Sequence, residues 1–373
     1  MNDMIETDIA IVGAGMAGIG LAAEVAGDFR TVILEQEAQP AYHSTGRSMA
    51  IFLRNYGNAV IRALNVASAP LFEAPDKALF PTPLISRRGV LFVADEAGRG
   101  HIDALLGAAD GLRAVTPDEA VAMAPILRRE RIAGAAYEPD AQDIDVNALH
   151  AGWLRKARAA GARLLTEAPL ERAERANGRW LIDTPKGRIS AGVVVNAAGA
   201  WADTVAARCG LAPLGIQPMR RSVAVVPAPE GTDVSRWPMI NDAAETWYAK
   251  PEAGRFYVSP SEEIPVEPHD AFADDMVLAE GLDRFVRATT YDLTRVERSW
   301  AGLRSFAPDR SPVAGFARGA DGFFWLAGQG GYGIQTAPAL SRLAGRLIRR
   351  AEPDAALLPL LDALSPDRFA RAR

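Results

Sequence analysis

The sequence predicts an α/β protein in which a doubly wound domain is interleaved with a second domain built mainly on antiparallel β-sheet. Three observations predict it. Near the N-terminus a short apolar strand runs into a glycine-rich turn and a helix. The middle of the chain alternates apolar and polar residues, and the C-terminal part returns to strand, glycine loop and helix.

The first element is residues 8–12, DIAIV, a buried-strand pattern followed by G-A-G-M-A-G, with Gly13, Gly15 and Gly18 in G-x-G-x-x-G spacing. The first glycine serves a tight turn, the second lets a pyrophosphate approach the backbone, and the third packs helix on strand. The stretch after it, IGLAAEVAG, reads as a helix whose N-terminus offers free amides to phosphate. TVILE then forms a second strand ending at Glu35, 17 residues beyond Gly18. A carboxylate there suits ribose hydroxyls and disfavours a 2′-phosphate. The Rossmann-like site therefore suits FAD or NAD and not NADP.

Residues 41–48, AYHSTGRS, come next. The hydroxyls of Ser44, Thr45 and Ser48 can bond a phosphate or a ring edge, Gly46 permits close approach, and Arg47 adds a positive charge. MAIFLRNYGNAVIRALNVAS reads as helix, which places the cluster at a second helix N-terminus and suits a cofactor extended across the sheet edge.

Beyond residue ~80 come short β-like runs such as GVLFVAD, a helical TPDEAVAMAPILRR, and a second helix in DIDVNALHAGWLRKARAAGARLL. VVVNAAGAW is a buried strand entering a small-residue loop, where Gly199 and the alanines let a cofactor approach and Trp201 can cover it. Residues 214–300 alternate as a largely antiparallel sheet would. In AGQGGYGIQT, Gly328, Gly330, Gly331 and Gly333 leave room for a planar ring, and the helix after them can stabilise negative charge on it. The division expected is 1–83 with 140–214 and 305–373 for the dinucleotide, and 84–139 with 215–304 for substrate. A cleft between the two is the expected site.

Taken together, G-A-G-x-A-G, Glu35, YHSTGRS, NAAGAWAD, QPMRRS, WYAKPEAG, WAGLRSFAPD and AGQGGYGIQTAP resemble the D-amino-acid oxidase superfamily of FAD-dependent oxidoreductases, nearly along the full length. Within it the pattern is most similar to bacterial D-arginine dehydrogenases and related D-amino-acid dehydrogenases. With the single cysteine, Cys209, in ARCGLAP and away from the ring-facing motifs, the resemblance implies FAD and its attachment is expected to be non-covalent. It implies cofactor contacts at Met16, Ala17, Gln36, Ala168 and Ala198, and along Tyr332, Ile334, Gln335 and Thr336, besides the motif residues above. It sets Gly331 beside the reacting centre.

An α-amino acid presents a carboxylate, for which a bidentate arginine is the natural clamp. Candidates are Arg304 and either Arg220 or Arg221; on a strand Arg221 shares a face with Val223 and Val225 while Arg220 points away. The resemblance implies Arg221 and Arg304 as active-site arginines, Tyr248 as a hydroxyl to the same carboxylate, and Tyr56 near the substrate; Trp247 reads as packing. Two positions depart from the D-arginine pattern. Ile51 stands where that pattern has histidine and Val90 where it has glutamate, so a buried guanidinium would be uncompensated. A less charged D-amino acid is expected, or an acidic one if Arg87 and Arg88 face the site. The expected reaction passes a hydride from the α-carbon to flavin N5, and the imino acid hydrolyses to a 2-oxo acid and ammonia. Oxidation of glycine, N-methyl amino acids or 2-hydroxy acids is the alternative, and a non-catalytic flavoprotein subunit is the reading of another class. The electron acceptor is left open among quinone, dye and oxygen.

Composition excludes other classes. At 373 residues, 49% apolar and 23% charged, with a net charge of −5, the chain lacks the basic stripe of a nucleic-acid binder. It has no run of ~18 apolar residues and no basic-then-apolar leader, so a cytoplasmic protein without a membrane span is expected. Cys209 is the single cysteine and reads as a buried thiol; His43, His101, His150 and His269 show no metal-ligand spacing.

Overall fold

The computed structural model describes residues 4–108 and 111–372. An eight-stranded sheet has the order Arg172–Ala176, Arg179–Thr184, Gly187–Asn196, Ile5–Val12, Thr31–Leu34, Arg163–Leu165, with Phe323–Ala327 and Val313–Phe316 attached beside Gly187–Asn196. Its centre is parallel: Ile5–Val12 pairs in parallel with both Gly187–Asn196 and Thr31–Leu34, and Phe323–Ala327 joins in parallel too. These central strands are apolar on both faces because helices cover them. The helices Met16–Val25, Val146–Ala159 and Gly333–Ile348 pack together over one face, with Ile19, Leu149, Trp153, Leu340 and Leu343 in one core.

The glycine turn is forced by packing. Gly13 has φ +106°, and a Cβ there would sit 2.4 Å from the Ala197 carbonyl oxygen. At Gly18 a Cβ would lie 1.9 Å from the Gly13 carbonyl oxygen, so only glycine lets the helix lie this close to the turn.

The second sheet has ten strands in the order Gln329–Gly330, Arg298–Phe306, Gln217–Pro227, Arg255–Ser259, Tyr248–Glu252, Met239–Asp242, Val90–Ala94, Gly134–Glu138, Arg113–Val115, with Ile264–Pro265 on the side. Apart from the parallel pair Met239–Asp242 with Val90–Ala94, the ladders are antiparallel, as the alternation implied. Ile51–Phe52, Gln142–Ile144 and Ile85–Arg87 form a small third sheet.

Three local expectations are corrected. The helix expected directly after STGRS begins only at Ala59, capped by the Asn58 side chain, which accepts from the Ile61 N–H at 3.1 Å. Residues 51–52 before it are a strand, so STGRS sits in a run of turns and not at a helix N-terminus. The helix expected through TPDEAVAMAPILRR stops at Met123, because Pro125 disfavours helical backbone at Ala124. Residues 214–300 also hold a helix, Asp275–Ala288, that lays Leu278, Leu282 and Phe285 on the outer core of the second sheet.

Candidate functional site

A long cleft runs between the two large sheets, from Glu35, Gln36 and Ala168 past Gly13–Ala17 to Arg221, Tyr248, Arg304 and Gln329–Gly331. At the first end Glu35 is 8% exposed and already committed. Its Oε2 accepts from Ala14 N–H at 2.9 Å and its Oε1 from Glu37 N–H at 3.0 Å, which fixes the carboxylate beside the glycine turn. The helix Met16–Val25 has Gly15 at its N-cap and no capping side chain from that residue. Instead Thr45 Oγ1 accepts from Met16 N–H at 3.0 Å across 29 residues of sequence. His150, 7% exposed, faces Ala14 from the neighbouring helix, its Nε2 2.9 Å from the Ala14 carbonyl oxygen. Burial holds the His150 pKa below the ordinary histidine value, so the ring is neutral and donates through Nε2.

The AYHSTGRS turn ties the two sheets together. Ser44 Oγ donates to the Leu303 carbonyl at 2.6 Å, and Trp300 Nε1 donates to the Arg47 carbonyl at 3.0 Å. The Arg47 guanidinium, expected to offer its charge to a phosphate, is taken up by protein. Its Nη1 donates to the carbonyls of Ala271 and Ala301, at 2.7 and 3.0 Å, and its Nη2 pairs with Asp270. Tyr42 Oη donates to the same carboxylate at 3.2 Å, so Asp270 straps the segment 266–274 to residues 42–47. The Arg47 guanidinium holds the Asp270 carboxyl below the ordinary aspartate range. Ser48 lines the cleft beside Arg47.

At the other end one sheet face carries Arg221, Tyr248 and Arg304 into the cleft. Arg221 pairs in register with Gly302 and Met219 with Arg304, so Arg221 and Arg304 are diagonal neighbours on the same face. Arg220 points to the other side and meets Asp274. Arg221 Nε donates to the Glu262 carbonyl at 2.8 Å, and its Nη2 lies 3.3 Å from Glu263 Oε1. Arg304 makes no direct ion pair with a carboxylate among the described residues; it hydrogen-bonds Tyr56, lies near Tyr248 and feels the charge of Glu263 from beyond ion-pair distance. Burial opposes its charge, but the two tyrosines together with Glu263 outweigh burial, and the guanidinium stays protonated. Burial pushes the Tyr248 hydroxyl up, yet Arg304 and Arg221 beside it outweigh that and bring its pKa below the ordinary phenol value. Tyr332, its ring 4.9 Å from that of Tyr56, is pushed up to about 12 by burial.

Gly331 stands against this cluster: a Cβ there would lie 3.0 Å from Arg304 Cζ. Gly330, Gly333, Ile334 and Gln335 line the cleft, as do Ala198, Gly199 and Trp201 from NAAGAW. Gly18, Gly46, Gly328, Tyr332 and Thr336 are absent from its lining. Packing requires glycine at two of them: a Cβ at Gly46 would meet the Ala41 carbonyl oxygen at 2.4 Å, and one at Gly328 would meet Ala307 at 3.3 Å. Thr336 Oγ1 donates to the Tyr332 carbonyl at 2.9 Å, inside the helix.

Leu53, Val90, Met239 and Tyr248 form one apolar cluster with Met49, Ile51 and Tyr56. Arg87 and Arg88 do not face the cleft: Arg87 is exposed, and Arg88 pairs with Asp143 at 2.7 Å. Trp247 is 4% exposed, packing on Phe285 while also bordering the cleft. Cys209 lies in the apolar core behind the first sheet, and burial pushes its thiol up to about 12. Among the described residues no cluster of histidine, cysteine and carboxylate side chains could hold a metal, and no helix is long and apolar enough to cross a membrane.

Sequence reasoning missed several residues here. Asp270, His150, Met239, Asn241, Asp242 and Glu245 all touch the cleft or its turns. The D-A-A-E-T turn before WYAK was the signal available for Asp242 and Glu245. Asp270 had none.

The family model described as FAD-dependent oxidoreductase, DAO, matches residues 8–347. Glycine oxidase of Geobacillus kaustophilus is 26% identical over 94% of this chain and 95% of its own length. Mitochondrial dimethylglycine dehydrogenase of Mus musculus is 23% identical over 99% of this chain, which spans 45% of that protein. The crystal structure of the Geobacillus glycine oxidase superposes with a TM-score of 0.83 at 23% identity, covering 95% of this chain and 98% of its own. L-Proline dehydrogenase from P. horikoshii does so with 0.85 at 22% identity over the whole of both chains. At such identities the superpositions establish the fold.

FAD fits the residues present. Two helix N-termini stand along one continuous cleft, at Met16 and at Gly333, and neither has a capping side chain from its N-cap residue. Each favours negative charge, and Glu35 supplies the carboxylate that a ribose requires.

Proposed function

The chain belongs to the DAO family of FAD-dependent oxidoreductases, and from that premise we propose that it oxidises the CH–N bond of a D-amino acid with a compact, uncharged side chain. One observation carries the reading. Arg304 is a buried cation in no direct ion pair among the described residues, on the same sheet face as Arg221 and beside Tyr248. A buried guanidinium without a directly paired acid is costly, and a substrate carboxylate supplies that pair.

In this reading residues 1–83, 140–214 and 305–373 hold the cofactor, and 84–139 with 215–304 hold the substrate. When bound, FAD supplies the two-electron acceptor. Arg304 and Arg221 grip the carboxylate, the Tyr248 hydroxyl donates to it, and Tyr56 covers it. Gly331, without a side chain, keeps the space beside Arg304 free for the α-carbon. Met49, Ile51, Leu53 and Met239 offer an apolar wall to the substrate side chain, and no acid stands at Ile51 or Val90 to receive a guanidinium. The amine loses its proton to water, and the released imine hydrolyses to a 2-oxo acid and ammonia. Attachment of FAD is non-covalent, in keeping with Cys209 packed away from the cleft.

A second reading is favoured by the relatives, whose names specify glycine and dimethylglycine: the substrate is glycine or an N-methyl amino acid. Turnover with a dye acceptor separates the two, by assaying 2-oxo acid with ammonia or methylamine across D-, L- and N-methyl amino acids. The D-amino acid reading requires ammonia from D-alanine or D-valine. Release of methylamine from sarcosine with no reaction of D-enantiomers would move the assignment to the second.

A further inference from the structure

The sheet face that carries Arg304, Arg221 and Tyr248 does not end at the substrate wall. Tyr248 pairs with Asn241, Met239 with Val90, and Val90 with Glu138, so Glu138 stands on the same face three strands beyond Tyr248. Glu138 is 5% exposed, and among the described residues no lysine or arginine pairs with it. Its Oε1 accepts from Asn55 Nδ2 at 3.2 Å, and the Asn55 backbone N–H also bonds this carboxyl. Burial pushes its pKa up, as expected of an acid out of water without a cation.

The next residue along the chain is Tyr56, which bonds Arg304 and stacks edge-on against Tyr332. The segment around it is short and held from other sides. Leu53 N–H donates to Gln335 Oε1 at 3.0 Å, and Asn65 Nδ2 donates to the carbonyls of Leu53 and Tyr56, at 3.0 and 3.3 Å. Gln335 belongs to the helix after the glycine loop and Asn65 to the helix Ala59–Glu73, both on the cofactor side. Besides the Arg304 bond to Tyr56, Glu138 is thus the grip that the substrate sheet exerts on this segment, and it acts one residue earlier, at Asn55.

We propose that Glu138 is a positioning residue that sets Tyr56 over the substrate through its two bonds to Asn55. The inference rests on the reading above in which Tyr56 faces the substrate. A carboxylate suits the task because it accepts both Asn55 donors at once, whereas a glutamine at this position offers one acceptor and one competing donor.

The test is a double-mutant cycle on the holoenzyme with Glu138→Gln and Tyr56→Phe, reading KM and kcat for the best amino-acid substrate. Glu138→Gln alone should raise KM by about three- to tenfold and leave kcat within about twofold. In the Tyr56→Phe background it should add no more than about twofold, because the residue it acts through has lost its hydroxyl. Asn55→Ala, which keeps Glu138 in place, should reproduce the KM effect, and Glu138→Asp should restore part of it. An equal KM penalty in both backgrounds, or a lower Tm with unchanged KM, overturns the proposal. Amide exchange of residues 53–58 is read on the same proteins and needs no turnover. If no amino acid is oxidised, the functional reading fails. Faster exchange there in Glu138→Gln, with the Ala59–Glu73 helix still protected, then sustains the grip on Tyr56, and unchanged exchange sinks it.

Discussion

Arg304→Met separates binding of the substrate carboxylate from stability of the fold, because the two should move in opposite directions. In the free protein Arg304 is a buried cation bonded to Tyr56, in no direct ion pair among the described residues. Replacing a buried charge that has no direct ion pair by an apolar side chain of similar length is neutral or stabilising, so Tm should hold or rise. On the proposed reading the same guanidinium makes two charge-assisted hydrogen bonds to the substrate carboxylate, each worth about 1.5–3 kcal/mol. Arg221 and Tyr248 remain, on the same face, to hold part of the carboxylate. The net loss therefore falls at the low end, about 3 kcal/mol, or roughly two orders of magnitude in kcat/KM. Anaerobic stopped-flow reduction of the flavin as a function of substrate concentration measures it, alongside a thermal melt of the same holoenzyme. A loss below about threefold, or a loss matched by a fall in Tm, would refute the assignment of Arg304 as the carboxylate clamp.

Other outcomes follow from single contacts. Gly331→Ala places a methyl 3.0 Å from the end of the Arg304 side chain, which is flexible enough to give way; KM should rise about three- to tenfold in steady-state assays with little change in Tm. Asp270→Ala frees Arg47 and loosens the strap between residues 42–47 and 266–274, so FAD should dissociate up to about fivefold faster, read by recovery of flavin fluorescence on dilution; the pair is part-exposed and worth no more than that. His150 is depressed below its unfolded value by burial, so the unfolded state binds the proton more tightly. Its contribution is full above the unfolded histidine pKa, ~6.5, and is lost as pH falls from there towards the folded pKa. Urea melts across this range should show His150→Gln, which keeps a donor for the Ala14 carbonyl, with a flatter acid limb than the parent.

The parts of the site that depend on local spacing were legible in the sequence. Gly13, Gly15, Gly18 and Glu35 lie within one strand–helix–strand unit, so their offsets alone bring them together. Arg221 could be told from Arg220 because a strand alternates its side chains, and the structure puts the two on opposite sides. The misreading after STGRS has the same physics behind it. Ile51 and Leu53 line the cleft while Phe52 between them enters the core, as a strand's residues do, and Gly57 with φ +92° and the Asn58 cap mark where the helix truly starts. Leu278, Leu282 and Phe285 carried a helical spacing that an overall reading of alternation hid. The use of Arg47 was out of reach of any local rule, since its partner Asp270 is 223 residues away and approaches only when the two sheets close on each other. Glu138 was equally hidden: its meaning comes from being the register partner of Val90, which no sequence offset announces.

The central claim, that this flavoprotein draws electrons from an amino acid held by Arg304, Arg221 and Tyr248, is tested most directly by mixing the purified holoprotein with single amino acids in the absence of oxygen and following the oxidised-flavin absorbance. Bleaching by small apolar D-amino acids, weak with D-arginine and weaker still in Arg304→Met, is the predicted result. A flavin band that no D-, L- or N-methyl amino acid bleaches, in protein that retains its FAD, would contradict it.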